Sequence, residues 1–126
     1  MIAYLDTNAA IRLSQGSVRK VSREAIRLID RAELLISPMV AFELELLYEI
    51  GRVKHSSRDL QSKLAHELGV RVCSLPFAEI VSAALDEGWT RDPFDRMIVA
   101  NAKANGFAWL LSADEAIASH YPRTVW

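Results

Sequence analysis

Four short apolar runs, separated by segments with helical spacing, constrain the fold of this chain more than any other feature. The runs are Ile2 to Leu5, Leu34 to Ile36, Val70 to Leu75 and Phe107 to Leu111, and a polar or turn residue follows each one. Unbroken apolar runs of this length are typical of strands buried on both faces. Strands that alternate with helices form parallel sheets with right-handed crossovers. The pattern predicts a three-layer α/β/α fold with a mainly parallel central sheet.

The segments between the runs contain five predicted helices. Ser37 and Asp92 are each followed by proline, which is a favourable helix start, and glycine is a typical stop. The predicted helices run from Ser22 to Ala32, from Ser37-Pro38 through Glu49-Ile50, from Ser57 to Leu68, from near Pro76 to before Gly88, and from Asp92-Pro93 to before Gly106. The chain has 126 residues, of which 51% are hydrophobic, and no repeat or linker divides it. We therefore expect a single domain over residues 1–126.

The charge and cysteine content exclude several classes of protein. Lys and Arg number 15 against 16 Asp and Glu, so the net charge is -1 and any nucleic acid must meet a local basic patch. The single cysteine, Cys73, can form neither an intramolecular disulfide nor a multi-thiolate zinc site. No apolar stretch reaches the length of a membrane span, and the first residues do not resemble a secretory signal. These features predict a cytoplasmic protein without membrane association.

Acidic and hydroxyl side chains follow the first and last predicted strands. Asp6, Thr7 and Asn8 come after the first run, while Ser112 and Asp114 follow the last. In open parallel sheets, ligands bind outside the carboxyl ends of the strands, so these residues are candidates for chemistry. Asp6 also suits a helix N-cap, and this structural role is as well supported by its position alone.

Glu43 is a carboxylate on an apolar helix face. Helical spacing places it with Met39, Val40, Leu46, Leu47 and Ile50, whereas Glu45 and Glu49 fall on another side. An unpaired buried carboxylate costs several kcal/mol or holds a proton, so it requires a metal, a hydrogen-bond network or a cation. A buried ion pair with an arginine is the structural alternative.

Two aspartates stand three residues apart at the start of the last predicted helix. Asp92 matches the N-cap position and Asp95 the third helical position. Acids at both positions are ordinary helix-start chemistry that suits the helix dipole. Their functional interest comes from topology, because Asp92 and Asp95 join the other candidate acids at one edge of the sheet. The complete set is Asp6, Glu43, Asp92, Asp95 and Asp114.

Clustered carboxylates without His or Cys partners suit Mg²⁺ or Mn²⁺. A cation relieves the repulsion among the acids, neutralises charge on a phosphodiester and lowers the pKa of water. The set therefore predicts metal-assisted phosphodiester hydrolysis. Thr7, Asn8 and Ser112 are expected to support it by orienting water or ligand through hydrogen bonds.

A basic helix face is a candidate for RNA contacts. Lys20, Arg23, Arg27 and Arg31 are predicted to lie together, opposite the apolar stripe of the first predicted helix. Such a ridge can bind phosphates. A solvated helix face with no ligand is the simpler interpretation of the same charges.

Four segments in order make the chain resemble a PIN-domain ribonuclease, and more narrowly a VapC-type toxin of type II toxin-antitoxin modules. They are Tyr4-Leu5-Asp6-Thr7-Asn8, Ile36-Ser37-Pro38 leading to Glu43, the run from Arg91 to Ala100, and Leu110-Leu111-Ser112-Ala113-Asp114. The resemblance covers nearly the whole chain. Ser112 stands where the family commonly has threonine, which preserves the hydroxyl.

The resemblance implies a Mg²⁺- or Mn²⁺-dependent endoribonuclease, a cognate antitoxin that covers the cleft, and a homodimer. It assigns Asp6 as the first metal acid, Glu43 as the second and Asp114 as the fourth. The third acid is Asp95 or Asp92, with Asp95 slightly favoured. Two other functions stay open: a PIN-like module that binds protein or RNA with little catalysis, and a metal-dependent phosphatase or DNA nuclease. The complete acid set argues against the binding module.

Overall fold

A five-stranded sheet forms the centre of the protein. The computed structural model describes residues 1–126, and its strand order is β3-β2-β1-β4-β5 with every neighbouring pair parallel. The strands are β1 (Ile2–Leu5), β2 (Glu33–Ile36), β3 (Arg71–Val72), β4 (Trp109–Leu111) and β5 (Thr124–Val125). The expected α/β class and parallel sheet are confirmed.

Seven helices connect and cover these strands. They are α1 (Thr7–Ser14), α2 (Arg23–Arg31), α3 (Pro38–Glu49), α4 (Ser57–Leu68), α5 (Phe77–Ala84), α6 (Pro93–Ala104) and α7 (Glu115–His120). α1, α3 and α4 pack against one another, α5 packs against α6, and α6 also contacts α3. None of the helices is long and apolar enough to cross a membrane.

Side-chain caps set the starts of most helices. The hydroxyls of Ser22, Ser37 and Ser56 accept hydrogen bonds from backbone N–H groups in the first turns of α2, α3 and α4. Such caps satisfy donors that a helix leaves unpaired at its start. The sequence located these three starts within one residue. The helix predicted from Pro76 ends earlier than expected, because residues after Ala84 turn away before Gly88.

Two predicted strands differ from the structure. The run from Val70 to Leu75 was expected to be buried on both faces, but β3 contains only Arg71 and Val72, both exposed. It lies at the sheet edge and pairs with β2 alone, so its other edge is open to solvent. Phe107 adopts a left-handed backbone (φ 54°) and is exposed, so β4 begins at Trp109 instead.

The strand register brings the candidate residues to one edge. Leu5, the last residue of β1, is paired with Ile36 of β2 and Leu111 of β4. The next residues along the chain are Asp6, Ser37 and Ser112, all buried. The three strands therefore deliver polar side chains side by side at their carboxyl ends, where parallel sheets bind ligands.

A buried polar network connects β1 to α6. The Tyr4 hydroxyl donates to Cys73 Sγ at 3.0 Å, and it accepts from Asn101 Nδ2 at 3.0 Å and from Asn105 Nδ2 at 2.7 Å. Burial is the main cause that raises the pKa of Tyr4 well above its usual range, so the phenol stays protonated. The network lies in the otherwise apolar core, which contains 25 buried residues in one cluster.

Candidate active site

Four carboxylates meet in one cavity at the carboxyl edge of the sheet. The cavity has a volume of about 190 Å³. Its lining residues are Asp6, Thr7, Asn8, Glu43, Leu47, Arg52, Asp95, Ile98 and Asp114. The acids come from four separate places in the chain: the end of β1, the middle of α3, the start of α6 and the loop after β4.

Asp6 is the most deeply placed of the four acids, with 5% of its surface exposed. Its Oδ1 caps α1 by accepting from the Ala9 N–H at 2.8 Å, so the structural role considered for it is present. Burial raises the pKa of Asp6, and the nearby charges of Asp114 and Glu43 raise it further. The Ser112 hydroxyl and the Ala9 N–H lower it. Asp6 thus caps α1 and also lines the cavity with a carboxyl whose charged form is disfavoured by burial.

Glu43 receives its hydrogen bond from a hydroxyl and not from an arginine. Thr7, the first residue of α1, donates from Oγ1 to Glu43 Oε1. No ion pair involves Glu43, so the arginine partner considered from the sequence is wrong. Burial is the largest cause that raises the pKa of Glu43, while the Thr7 hydroxyl lowers it. The face predicted for Glu43 also included Ile50, but Ile50 is 66% exposed because α3 ends just before it.

Asp95 lines the cavity and Asp92 does not. Asp92 Oδ1 accepts from the backbone N–H groups of Phe94 at 2.8 Å and Asp95 at 3.1 Å, so the predicted N-cap of α6 is confirmed. Asp95 occupies the third helical position, one turn deeper. Burial raises the pKa of Asp95 from 3.8 to about 6, and the charge of Asp92 adds to this effect. The geometry therefore separates the two acids that the sequence left as alternatives.

The loop after β4 supplies Asp114 and Ser112. Asp114 Oδ1 caps α7 by accepting from the Ile117 N–H at 2.9 Å, and its own N–H donates to Ser112 Oγ at 3.1 Å. Ser112 is buried behind the cavity wall, where it contacts the site through Asp6 and Asp114. Asn8 is exposed and lies on the cavity wall.

Arg52 is the one charged lining residue that sequence reasoning missed. Gly51, with φ of 79°, ends α3 in a left-handed turn. The Gly51 N–H donates to the Tyr48 carbonyl at 3.0 Å and the Arg52 N–H to the Leu47 carbonyl at 2.9 Å, a Schellman motif. This motif folds Arg52 back beside Leu47 and so onto the cavity. The sequence contained one signal, the glycine stop after α3, but spacing alone does not place the residue that follows it.

Comparison with known proteins decides the family. The model of the PIN domain family matches residues 3–121. The chain belongs to the PIN domain family. A search of curated proteins finds no match to its sequence.

Solved structures share the fold of this PIN domain at low sequence identity. VapBC2 from Rickettsia felis, bound to a DNA fragment from its promoter, matches with a TM-score of 0.61 and 21% identity over 99% of this chain and 96% of that one. A toxin-antitoxin complex from Klebsiella pneumoniae gives 0.66 and 19%, covering 98% and 96%. FitAcB from Neisseria gonorrhoeae gives 0.53 and 20%, covering 100% and 96%.

The donor set of this PIN domain fits a hydrated hard cation. Four carboxylates face one cavity with a single cation, Arg52, on its wall, and three of the four have raised pKa values. No three His, Cys, Asp or Glu side chains are grouped closely enough to enclose a metal by themselves. Mg²⁺ keeps several waters and binds through one or two carboxylates, so it does not need such a cage. The oxygen donors and the unrelieved repulsion match this mode of binding.

The predicted basic face lies away from the acidic cavity. Arg23, Arg27 and Arg31 are exposed along α2, but Lys20 precedes the helix and has a left-handed backbone (φ 58°). Placing Lys20 on the same helix face was therefore wrong. None of the four side chains lines the cavity.

Proposed function

We propose that this PIN domain is a Mg²⁺- or Mn²⁺-dependent endoribonuclease that acts as the toxin of a toxin-antitoxin pair. The observation that carries the proposal is the convergence of Asp6, Glu43, Asp95 and Asp114 on one cavity at the carboxyl edge of a parallel sheet. Membership of the PIN domain family supports nuclease chemistry. These four residues are also among the acids that the sequence resemblance assigned. Asp92 supports the site from outside, through the cap of α6.

The four cavity acids are the residues that would hold the cation. A bound divalent ion supplies neutralisation of phosphate charge and a lower pKa for water. Asp6 is oriented in the cavity by the Ala9 N–H, which donates to its Oδ1 in the α1 cap, and by the Ser112 hydroxyl. Thr7 fixes the orientation of Glu43, and the Asn8 carboxamide on the rim can donate to a phosphate oxygen or to the attacking water.

The toxin role rests on the kind of assembly found among the structural neighbours. The Klebsiella pneumoniae neighbour is a toxin-antitoxin complex, and the similarity covers nearly all of both chains. We propose an antitoxin as the partner of this chain, with an acidic cleft that the antitoxin covers. A homodimer and a cytoplasmic location remain predictions from the resemblance and the single cysteine.

Cleavage of RNA by the purified, partner-free protein tests the proposal. Total cellular RNA is incubated with Mg²⁺, with Mn²⁺ or with EDTA, beside single-stranded DNA and a small phosphomonoester. Asp6→Asn is the informative variant, because asparagine caps a helix as well as aspartate does while removing the charge. Asp86→Asn is the matched control, since Asp86 is exposed and its side chain makes no hydrogen bond or ion pair.

Discrete RNA fragments that require the metal, persist in Asp86→Asn and disappear in Asp6→Asn would support the proposal. If DNA or the phosphomonoester alone is cleaved, that compound and not RNA is the substrate. RNA that stays intact under every condition, with the fold verified and the partner absent, would move the function to a binding module.

A further inference from the structure

A second cavity adjoins the acidic one and has the opposite charge. It has a volume of about 360 Å³ and lies between α1, the loop after α3, and α4. Arg52, Lys54, His55 and Lys63 line it, and Ile11, Val53 and Leu60 are its apolar lining residues. No aspartate or glutamate is among its lining residues.

The cations of this basic cavity have no protein partner. The ion pairs of the chain join Arg71 to Glu33 and Lys103 to Glu87, and neither involves the cavity. The side chains of Arg52, Lys54 and Lys63 are exposed and donate no hydrogen bond within the protein. Like charges held together without counter-charges repel each other, so the cavity favours an anionic ligand.

Arg52 joins the two cavities, because it lines both. The hydrogen bonds of the Schellman motif hold the backbone of Arg52, so its side chain starts from a fixed point between the two cavities. A chain of phosphates that has one phosphate at the acids therefore meets Arg52 first and then Lys54 and Lys63. Arg52 and His55 also present a guanidinium and an imidazole, which are planar groups on which a nucleobase can stack.

We propose that the basic cavity is a subsite for the RNA backbone, which holds a nucleotide that flanks the phosphodiester at the acidic cavity. Arg52, Lys54 and Lys63 neutralise its phosphates, and the half-buried Ile11 contacts its base. The assignment rests on the proposed ribonuclease function and adds the direction in which the bound RNA chain extends from the cleavage site. RNA is favoured over a protein ligand because the lining combines several unpaired cations, which bind phosphates, with groups on which a base can stack.

Binding measured without cleavage tests this subsite separately from catalysis. A short fluorescent single-stranded RNA is titrated with the full chain in EDTA, over a series of salt concentrations, by fluorescence anisotropy. The variants are Lys54→Ala, Lys63→Ala and Arg52→Ala. Arg58→Ala is the matched control, because Arg58 is an exposed cation of α4 outside the cavity. An acidic peptide serves as a competitor, and urea unfolding verifies that each variant is folded.

Each cavity variant should reduce the slope of log K against log salt by about 0.7, which is the loss of one phosphate contact to a single strand. The affinity should fall by roughly fivefold near 0.1 M salt, and Arg58→Ala should match the native protein. A lost charge that acted only on folding would change urea unfolding and not the salt slope.

Three results would overturn the subsite. The native chain does not bind RNA; or the Lys54, Lys63 and Arg58 variants have equal salt slopes; or the cavity variants no longer bind the acidic peptide while their RNA binding is intact. The last would make the cavity a peptide site. Native protein that binds RNA through the cavity yet cleaves nothing with metal would refute the proposed nuclease while the subsite stands. Cleavage by a native protein whose cavity variants bind RNA normally would refute the subsite alone.

Discussion

Removing the charge of Asp95 should stabilise the metal-free protein. Folding raises the pKa of Asp95 from 3.8 to about 6, because the carboxyl becomes partly buried among other acids. Each pKa unit corresponds to about 1.36 kcal/mol, so the full shift is equivalent to about 3 kcal/mol of destabilisation above pH 6. Asp95 is only half-buried, and solvent screening reduces the expected effect to about 1 to 1.5 kcal/mol. Asp95→Asn should recover this amount at pH 7.5.

The pH dependence gives the prediction its sign. The folded protein binds the Asp95 proton more tightly than the unfolded chain, so the cost is absent at low pH and grows as pH rises from about 4 to 6. Asp95→Asn should therefore be more stable than the native protein at pH 7.5 and close to it at pH 4. Urea unfolding in EDTA, followed by tryptophan fluorescence, measures both free energies. Asp86→Asn should change neither by more than about 0.5 kcal/mol.

Two outcomes would refute this reasoning: a variant that is less stable at pH 7.5, or a gain of equal size at both pH values. Mg²⁺ provides an independent arm, since a ligand of the folded state stabilises it by mass action. The native protein should gain stability with added Mg²⁺, and Asp95→Asn should gain less because it lacks one of the acids.

Variants at three further positions test other parts of the site. Asp92→Asn should keep the α6 cap and Asp92→Ala should cost about 1 kcal/mol in urea unfolding, while both retain metal-dependent cleavage; complete loss of cleavage in Asp92→Asn would make Asp92 a ligand. Gly51→Ala should cost about 1 kcal/mol in the same assay, since a Cβ disfavours the left-handed turn, and it should weaken RNA binding by displacing Arg52. Thr7→Val should raise the pKa of Glu43 and move the acidic limb of the pH-activity profile upward, and Thr7→Ser should restore it; an unmoved profile would show that Glu43 does not control that limb.

Much of the fold could be predicted because its central strands are apolar and its helices have strong starts. β1, β2 and β4 are buried by neighbours on both sides, so their sequences are continuous hydrophobic runs. The edge elements lack this signal. β5 has two residues, Thr124 and Val125, and is recognisable only through its pairing with β4.

Two short helices were also not predicted. α1 has eight residues and α7 has six, too few to establish an apolar periodicity. Both begin directly after a candidate acid, Asp6 or Asp114, whose side chain caps the helix. Of these two acids, a cap was considered from the sequence for Asp6 alone, and in the structure both acids cap a helix and line the cavity.

The candidate acids could be found because the ends of parallel strands converge, whereas their exact arrangement depends on tertiary packing. Helical spacing favours Asp95, which lies three and four residues before the buried Ile98 and Val99, but how near either acid comes to the others depends on the packing of α6. Arg52 depends on a left-handed turn at the end of α3 and has no periodic signal. The sign of the charge in the cavity could therefore be predicted, but the complete set of its lining residues could not.

The buried network around Tyr4 also fixes α6 along its own axis. Asn101 lies six residues after Asp95, which is about 9 Å along the helix. Sliding or rotating α6 by one residue would separate Asn101 Nδ2 from the Tyr4 hydroxyl and leave this amide nitrogen, like Asn101 Oδ1 already, without a partner in the apolar core. The position of the Asp95 carboxylate is consequently held by amide and phenol groups that are buried in the core and do not contact the substrate. A substitution at Asn101 that leaves the protein folded should therefore affect the chemistry by displacing the Asp95 carboxylate.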